Sequence, residues 1–192
     1  MHLGMARTAH LLLVDGFADW EPALLVATLR RYAGYRTIAL GRNSLPVLSM
    51  GGLRVLPESS IGSASFGPED IVVVPGGDFW TRGEDVDTSA FLRRAREAGA
   101  VVAGICAGVA ALAWAGLLRD RRYTANTPEE IRSFLAGARP IGTYVDAPAV
   151  ADGDVVTAKG NAPVAFAESA IAALGVFDAS QSDAWRRVFR PA

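Results

Sequence analysis

The chain has 192 residues, of which 51% are hydrophobic and 20% are charged, a composition typical of a folded globular protein and not of a disordered one. Its 19 Lys and Arg and 20 Asp and Glu leave a formal net charge of -1, and no basic run marks a nucleic-acid binder. The sequence also lacks the run of roughly 18 apolar residues that a membrane span needs and the cleavage pattern of a signal peptide, so we expect neither a nucleic-acid nor a membrane partner.

Four short apolar segments predict buried parallel strands, because they are rich in β-branched residues and Leu. They cover residues 10–16, 36–41, 70–77 and 100–106. Helical patterns at 19–34 and 88–100 separate them, and Gly34 and Gly99 are placed to end these two helices. The N-cap of the second helix is expected at Asp87, Thr88 or Ser89.

The second half of the chain continues with helical patterns and one hairpin. Helices are predicted at 107–118, 127–137 and 162–175, the last of the chain. Thr127 is the candidate N-cap of the middle helix, and Pro128 fits its first helical position. The pair Asp152-Gly153 predicts the turn of a β-hairpin over 149–160.

The repeated order of strand and helix predicts the fold. It favours an α/β, flavodoxin-like three-layer sandwich with a mostly parallel sheet and helices on both faces. The segment 47–62 is an insertion with short β character. Since the sequence shows no internal repeat and no dividing linker, we expect residues 1–192 to form a single domain.

The single cysteine, Cys106, lies where a predicted strand meets a predicted helix, in the stretch "GICAG" (104–108). One cysteine permits no intramolecular disulfide, which agrees with a cytoplasmic protein. The stretch has the G-x-nucleophile-x-G form of a nucleophile elbow, a strained turn that presents the nucleophile at the carboxyl edge of a sheet. The following helix N-terminus would favour a thiolate. A buried cysteine that packs as a small hydrophobe is the alternative, but the strand-to-helix context favours the elbow.

A second motif, "VVVPGGDFW" (72–80), follows the preceding strand. Paired glycines there allow backbone N–H groups to point into the cleft, where Gly76 and Gly77 would stabilise an oxyanion together with the N–H of Ala107. A simple tight turn is the alternative, since Pro-Gly-Gly suits a turn equally well. The neighbouring elbow favours the functional interpretation.

A third motif, "DGFADWEPA" (15–23), places Glu21 in the first turn of the helix after the first strand. Glu21 there would either stabilise the helix dipole from solvent or point inward, stay partly protonated and hydrogen-bond the sulfur. Asp19 fits the N-cap position of the same helix.

These motifs, together with the closing "VVTAKGNAPVAFAESAI" (155–171), give the chain a resemblance to a known family. It resembles the ThiJ/PfpI superfamily, the cysteine-elbow branch of the class I glutamine amidotransferase-like fold, over nearly its whole length. The resemblance implies that Cys106 is the reactive cysteine and Glu21 its acidic partner. It further implies that the backbones of Gly76, Gly77 and Ala107 form the anion pocket, and that the protein is a homodimer.

The sequence departs from the superfamily's pattern at the histidine. Protease-like members have a His directly after the Cys, where this chain has Ala107, and others have one in a T-x-H-P-like segment, where "YTANTPEE" (123–130) has Asn126. The histidines of this chain are His2 and His10, and His10 is expected at the opposite edge of the sheet. An amide cannot accept a proton at neutral pH, so we disfavour protease and amidotransferase activity.

Three functions remain open. In the first, the Cys106 thiolate acts on a small electrophilic substrate, in glyoxalase, deglycase or isonitrile-hydratase chemistry, with Glu21 as proton shuttle. In the second, oxidation of Cys106 by a small oxidant makes the protein a redox or stress sensor. In the third, the protein is a non-catalytic scaffold.

Further side chains are candidate substrate contacts of the first function. They are Asn126, Asp19, Trp20 and Phe79, and for the aromatic residues ordinary packing is the alternative. We expect no metal, because two remote His and one Cys make no ligand cluster. We expect no nucleotide cofactor, because the glycines form neither a G-x-G-x-x-G nor a P-loop pattern.

Overall fold

The structure is a computed structural model that describes residues 7–135 and 141–190. In chain order the strands are β1 (Thr8–Leu13), β2 (Arg36–Gly41), β3 (Val47–Leu48), β4 (Arg54–Val55), β5 (Ser59–Ser60), β6 (Ile71–Val74), β7 (Val101–Ile105), β8 (Arg122–Tyr123), β9 (Thr143–Tyr144), β10 (Ala149–Asp152) and β11 (Val155–Ala158). The helices are α1 (Trp20–Tyr32), α2 (Val86–Glu97), α3 (Gly108–Trp114), α4 (Pro128–Leu135), α5 (Pro163–Leu174) and α6 (Ala179–Phe189), and a 3-10 helix spans Asp78–Arg82.

Seven of the described strands form one sheet, in the order β10-β11-β7-β6-β1-β2-β5. Every pairing in this sheet is parallel except that of β10 with β11. The short strands β3 and β4 form a separate antiparallel pair in the insertion, and β5 of the same insertion extends the edge of the main sheet. The observed α/β fold confirms the predicted one.

Alternating side chains of the central strands enter two cores, one on each face of the sheet. On β6, Val72 and Val74 belong to the core beneath α2, α3 and α4, whereas Ile71 and Val73 belong to the core beneath α1, α5 and α6. Because both faces are covered, β6 is apolar throughout, as buried parallel strands are. Within the described residues, no helix is both long and apolar enough to cross a membrane.

Several local predictions are confirmed. Gly34 and Gly99 follow the ends of α1 and α2 with φ of 73° and 89°, a conformation that glycine adopts without the steric cost of a Cβ. Thr127 Oγ1 accepts a hydrogen bond of 3.0 Å from the Glu130 N–H at the start of α4. The predicted hairpin is β10 and β11, whose end pair is Asp152 with Val155.

Other predictions at element boundaries are wrong. The N-cap of α2 is Asp85 and not Asp87, Thr88 or Ser89, and the Asp85 carboxylate accepts a hydrogen bond from the Thr88 hydroxyl at 2.5 Å. The helix after Cys106 ends at Trp114, well before the predicted 118. The segment 162–175 is not the last helix, because α6 follows it and buries Trp185 against α1, where the Trp185 Nε1–H donates to Thr28 Oγ1 at 3.0 Å.

Candidate functional site

Cys106 occupies the sharp turn between β7 and α3 at the carboxyl edge of the sheet. Its φ is 58°, a left-handed conformation that is strained for a residue with a side chain. The glycines on either side permit the turn: a Cβ on Gly108 would lie 2.3 Å from the Val74 carbonyl oxygen, and one on Gly104 would lie 2.9 Å from Leu112. The local sequence therefore directs the thiol out of the sheet edge.

Glu21 projects from the first turn of α1 toward this thiol and is fully buried, with 0% exposure. Its Oε2 accepts a 2.6 Å hydrogen bond from the Gly76 N–H, which follows β6. Its Oε1 is buried and accepts no nitrogen- or oxygen-borne hydrogen bond from the described residues. Of the two orientations that the sequence allows for Glu21, the structure therefore shows the one that points inward and not the one that faces solvent.

Two glycines let the backbone close around the sulfur. A Cβ on Gly76 would lie 3.1 Å from Cys106 Sγ and 2.9 Å from Glu21 Oε2. A Cβ on Gly160, just beyond β11, would lie 2.8 Å from the same sulfur and 3.1 Å from Glu21 Oε1. The thiol and the carboxyl are therefore confined between the ends of β6 and β11.

This confinement raises the pKa of the Glu21 carboxyl above that of an ordinary glutamate. Burial raises the pKa of Glu21 from 4.5 to about 7, although the Gly76 N–H and the Cys106 thiol both oppose the rise. A carboxylate costs more to bury than a carboxylic acid. Glu21 therefore exchanges a proton near neutral pH, which suits a general acid and base.

The thiol shows the reverse of the thiolate predicted from the sequence. Burial raises the pKa of Cys106 to about 11, with a further rise from the Glu21 charge, and the opposing hydrogen bond from Asn126 does not cancel it. The Ala107 N–H, just before α3, lowers the pKa as a helix N-terminus is expected to, but by less than burial raises it. Burial at this position therefore favours the thiol over the thiolate.

Asn126 ties the sulfur to the opposite wall. Its Nδ2 donates to Cys106 Sγ at 3.3 Å and also lies 3.2 Å from Glu130 Oε1. Its Oδ1 accepts from the Gly160 N–H at 2.9 Å. Since both ends of the amide are fixed, Asn126 orients a hydrogen-bond donor at the sulfur.

These side chains form the floor of an open cavity of about 540 Å³. The described residues that line it are Trp20, Glu21, Cys106, Asn126, Lys159, Gly160 and Asn161. Trp20 is 53% exposed at the rim and donates through Nε1 to the Gly160 carbonyl at 3.3 Å. The thiol and the carboxyl thus lie at the floor of a cavity that has room for a small molecule.

The sequence of this chain was compared with those of known protein families and curated proteins. The sequence profile of the DJ-1/PfpI family matches residues 7–173. The chain belongs to the DJ-1/PfpI family. Among curated relatives, a protein named uncharacterized protease YoaZ from Bacillus subtilis strain 168 is 30% identical, over 95% of this chain and 90% of its own.

Solved structures of the family superpose on most of the molecule. A DJ-1 superfamily protein from Agrobacterium tumefaciens is 37% identical with a TM-score of 0.81, over 95% of this chain and 97% of its own. A ThiJ/PfpI family protein from Bacillus anthracis is 29% identical with a TM-score of 0.86, over 97% of this chain and 92% of its own.

Some residues predicted for the site of this DJ-1/PfpI chain lie elsewhere. Asp19 is the N-cap residue of α1 but makes no side-chain capping hydrogen bond; its Oδ2 instead accepts from the Gly51 N–H at 2.7 Å. Phe79 packs edge-on against Trp80, at 5.0 Å between ring centroids, and beneath the Arg42 guanidinium at 4.9 Å. Both side chains are therefore held by neighbours outside the cavity lining.

Of the three predicted anion-pocket residues, Gly76 has its N–H bonded to Glu21. The hydrogen bond from the Ala107 N–H lowers the pKa of Cys106. Gly77 allows a close backbone approach, because a Cβ there would lie 3.0 Å from the Gly16 carbonyl oxygen. Their backbones build and polarise the floor, and none of them appears in the described lining of the cavity.

His10, the histidine within the described residues, lies toward the amino edge of the sheet, whereas Cys106 lies at the carboxyl edge. His10 is buried in β1, and its Nε2 lies 3.3 Å from Oδ2 of Asp70, which precedes β6 at the amino edge. His2 lies outside the described residues. Among the described residues, no group of three or more His, Cys, Asp or Glu is placed to hold a metal ion.

Sequence reasoning missed three of the cavity residues, Lys159, Gly160 and Asn161. A signal was present, since Lys159 and Gly160 end the predicted hairpin over 149–160 and Asn161 follows it, and the carboxyl ends of parallel strands share one edge of a sheet.

Proposed function

We propose that this protein is an enzyme that adds the Cys106 sulfur to small electrophilic carbonyl compounds, with Glu21 moving the protons. The observation that supports this most directly is a thiol packed beside a buried carboxyl at the floor of a cavity, where burial raises the pKa of the carboxyl to about 7. At neutral pH about half of such carboxyls are ionised. A base for the thiol is therefore present without a histidine.

The first step follows from these two groups. Ionised Glu21 accepts the thiol proton as the sulfur attacks the carbonyl carbon, so that a C–S bond forms while the S–H bond breaks. Protonated Glu21 then delivers the proton to the former carbonyl oxygen, which gives a hemithioacetal. Asn126 Nδ2 orients the sulfur during the attack.

With glyoxal or methylglyoxal the same carboxyl completes a hydration. Glu21 removes the proton from the carbon that bears sulfur and returns it to the adjacent carbon, which converts the hemithioacetal into the thioester of a 2-hydroxy acid. Water hydrolyses the thioester, releases the hydroxy acid and restores the thiol. The overall change is addition of one water, so the sequence of steps needs no redox cofactor.

The cavity ranks the alternatives. A raised pKa slows the reaction of the thiol with peroxide and with a carbonyl alike, because the thiolate reacts in both cases. The cavity of about 540 Å³ above the thiol has room for a small carbon substrate, which favours the enzyme over the redox or stress sensor. Proteolysis is named for a relative, but the Cys106 sulfur in this chain has no histidine partner among the described residues. Carbonyl addition assisted by Glu21 uses the groups that are present.

Turnover of glyoxal to glycolate, followed by NMR, tests the proposal. We expect formation of glycolate by the parent protein, complete loss in Cys106→Ser, and a loss of at least about a hundredfold in Glu21→Gln, since a positioned base contributes about that much. The matched control is Glu129→Gln, an exposed carboxyl on α4, which we expect to behave like the parent.

The pH dependence of turnover is a second test of the proposed function. In the parent, kcat/KM is expected to rise as Glu21 ionises, with a midpoint near its pKa of about 7. Turnover of an isonitrile but not of glyoxal would replace the substrate class, and glycolate formation that survives Cys106→Ser would overturn the proposal. Peroxide-driven mass gain at Cys106 without any turnover would favour the sensor.

We also propose that residues 1–192 form one domain, that the protein is a homodimer, as the family resemblance implies, and that it is cytoplasmic. A sedimentation measurement tests the dimer, with a monomeric mass as the contrary result. Limited proteolysis tests the single domain, which a stable half-length fragment would contradict. Cell fractionation tests the location.

A further inference from the structure

The cavity contains the one lysine of the chain. Of the 19 basic residues, Lys159 alone is a lysine, and it lines the cavity that holds Cys106. Lysine presents a compact cation on a flexible stem, whereas an arginine carries a broad planar group.

The register of the sheet brings Lys159 next to the nucleophile. Ala158, the last residue of β11, pairs with Ile105 of β7, and the Cys106 N–H donates to the Ala158 carbonyl at 3.0 Å. Lys159 is the next residue along that edge, and Gly160 after it packs closely on the sulfur. The ammonium is thus carried on the same strand end that confines the thiol.

The cation is held in place by a partner that is largely in solvent. Lys159 Nζ lies 2.5 Å from Asp146 Oδ1, and the side chains are 25% and 81% exposed, respectively. The Asp146 hydrogen bond raises the pKa of Lys159, with a contribution from Tyr144, so the amine is a cation and not a nucleophile at neutral pH. Since an exposed ion pair contributes little free energy, a competing carboxylate readily takes the place of Asp146.

Lys159 is also the one basic side chain of the described lining. The other ionisable members are Cys106 and Glu21, and burial raises the pKa of both, which opposes a negative charge on either group. Glu130 touches Asn126 from behind and does not line the cavity. The neighbouring Asn161 adds an amide but no charge.

We propose that Lys159 selects dicarbonyl substrates that carry a carboxylate next to the two carbonyl carbons. The substrate class of this site is then small dioxo acids such as 2,3-dioxopropanoate, whose aldehyde carbon accepts the sulfur and whose neighbouring ketone carbon accepts the proton that Glu21 moves. The inference rests on the proposed function, because it assumes that Cys106 is the attacking group. A single ammonium with an adjacent amide matches one carboxylate, whereas a phosphate dianion is usually bound by several donors. On binding, the substrate carboxylate replaces Asp146 at Nζ, and the Asp146 side chain turns into water.

Two alkylating reagents of nearly equal size test the charge preference without turnover. Iodoacetate is anionic and iodoacetamide is neutral, and both alkylate Cys106 at a rate that mass spectrometry follows. We expect the ratio of the iodoacetate rate to the iodoacetamide rate to exceed that of the urea-unfolded chain by about threefold or more. High salt should reduce the ratio, because the two charges lie in a solvent-connected cavity.

Three variants assign the preference to the ion pair. Lys159→Met is expected to lower the ratio to that of the unfolded chain, Lys159→Arg to retain most of it, and Asp146→Asn to raise it by removing the competing carboxylate. Thermal unfolding of each variant checks that the fold persists. A ratio that is unchanged in Lys159→Met, while alkylation itself proceeds, would overturn this inference and leave the proposed function standing.

Protection by substrate analogues provides an independent readout. Glyoxylate and glyoxal differ mainly in the carboxylate, and either would slow iodoacetamide by forming a hemithioacetal with Cys106. We expect glyoxylate to protect at lower concentration than glyoxal in the parent protein, and the difference to vanish in Lys159→Met. Absence of alkylation and of protection in every variant would instead show that Cys106 is not an accessible nucleophile, which overturns the proposed function itself.

Discussion

Replacement of Glu21 by glutamine should stabilise the protein at alkaline pH, because it removes a carboxyl that the fold prefers to keep protonated. In the folded chain the pKa of Glu21 is about 7, against an ordinary 4.5. The stability gained from the protonated form is fully present below pH 4.5 and is lost as pH rises through about 7. This difference corresponds to about 3 kcal/mol in the free energy of unfolding above neutral pH.

Urea unfolding followed by tryptophan fluorescence measures the effect. We expect the Glu21→Gln variant and the parent to agree within about 1 kcal/mol near pH 5, and the variant to be more stable by about 3 kcal/mol near pH 8. For a chain of this length that shift is about 6–10 °C in Tm. The side-chain amide oxygen of the variant can still accept the hydrogen bond from the Gly76 N–H.

His10 contributes a pH dependence of opposite sign, which the comparison removes. Burial lowers the pKa of His10 although Asp70 opposes this, so its stabilising contribution is lost as pH falls through its ordinary range. This slope is common to the parent and the variant and cancels in their difference, and Glu129→Gln serves as the exposed control. Parallel stability curves of the parent and Glu21→Gln from about pH 5 to about pH 8 would refute the raised pKa and, with it, the base assigned to the reaction.

Two further substitutions test the packing described above. Gly160→Ala would place a Cβ 2.8 Å from Cys106 Sγ. We expect iodoacetamide labelling of Cys106 to slow by on the order of tenfold, and the free energy of urea unfolding to fall by about 1–3 kcal/mol. The control is Gly62→Ala, whose Cβ meets nothing closer than 3.9 Å and which should change neither quantity. Trp185→Ala is expected to cost about 3–5 kcal/mol in the same assay. Trp185→Phe loses the hydrogen bond to Thr28 and part of the buried ring but keeps most of the packing, so we expect a smaller cost of about 1–2 kcal/mol. Equal effects of the two Trp185 variants, or of the two Gly variants, would contradict these assignments.

The sheet could be predicted from sequence because its strands are apolar on both faces and are separated by helical periods. The run 71–74 enters two cores at once, so no polar residue interrupts the pattern. The missed helix α6 carries a different signal, a capping box in which Asp178 and Gln181 exchange hydrogen bonds of 2.8 and 2.9 Å. That local signature, a short polar residue followed three positions later by Gln, is present in the sequence itself.

The sequence predicts which residues meet at the site but not how their surroundings shift their pKa values. Cys106 and Glu21 follow different strands that end at one edge, so their approach follows from topology. The protonation of the thiol does not, because it depends on how closely the backbones at Gly76 and Gly160 pack on the sulfur. Asp19 likewise has the residue type of a helix cap, and only the path of the insertion brings Gly51 within reach of its carboxylate.

The glycine walls around Cys106 make the thiol a reporter of local opening in the molecule. A small reagent enters through the cavity, whereas a bulky aromatic disulfide needs the backbone at Gly76 or Gly160 to draw away from the sulfur. Its labelling rate therefore measures how often the ends of β6 and β11 separate, much as amide hydrogen exchange measures local opening elsewhere. The ratio of bulky to small labelling, relative to the same ratio in the unfolded chain, gives the opening equilibrium at the reacting atom itself, without an engineered cysteine.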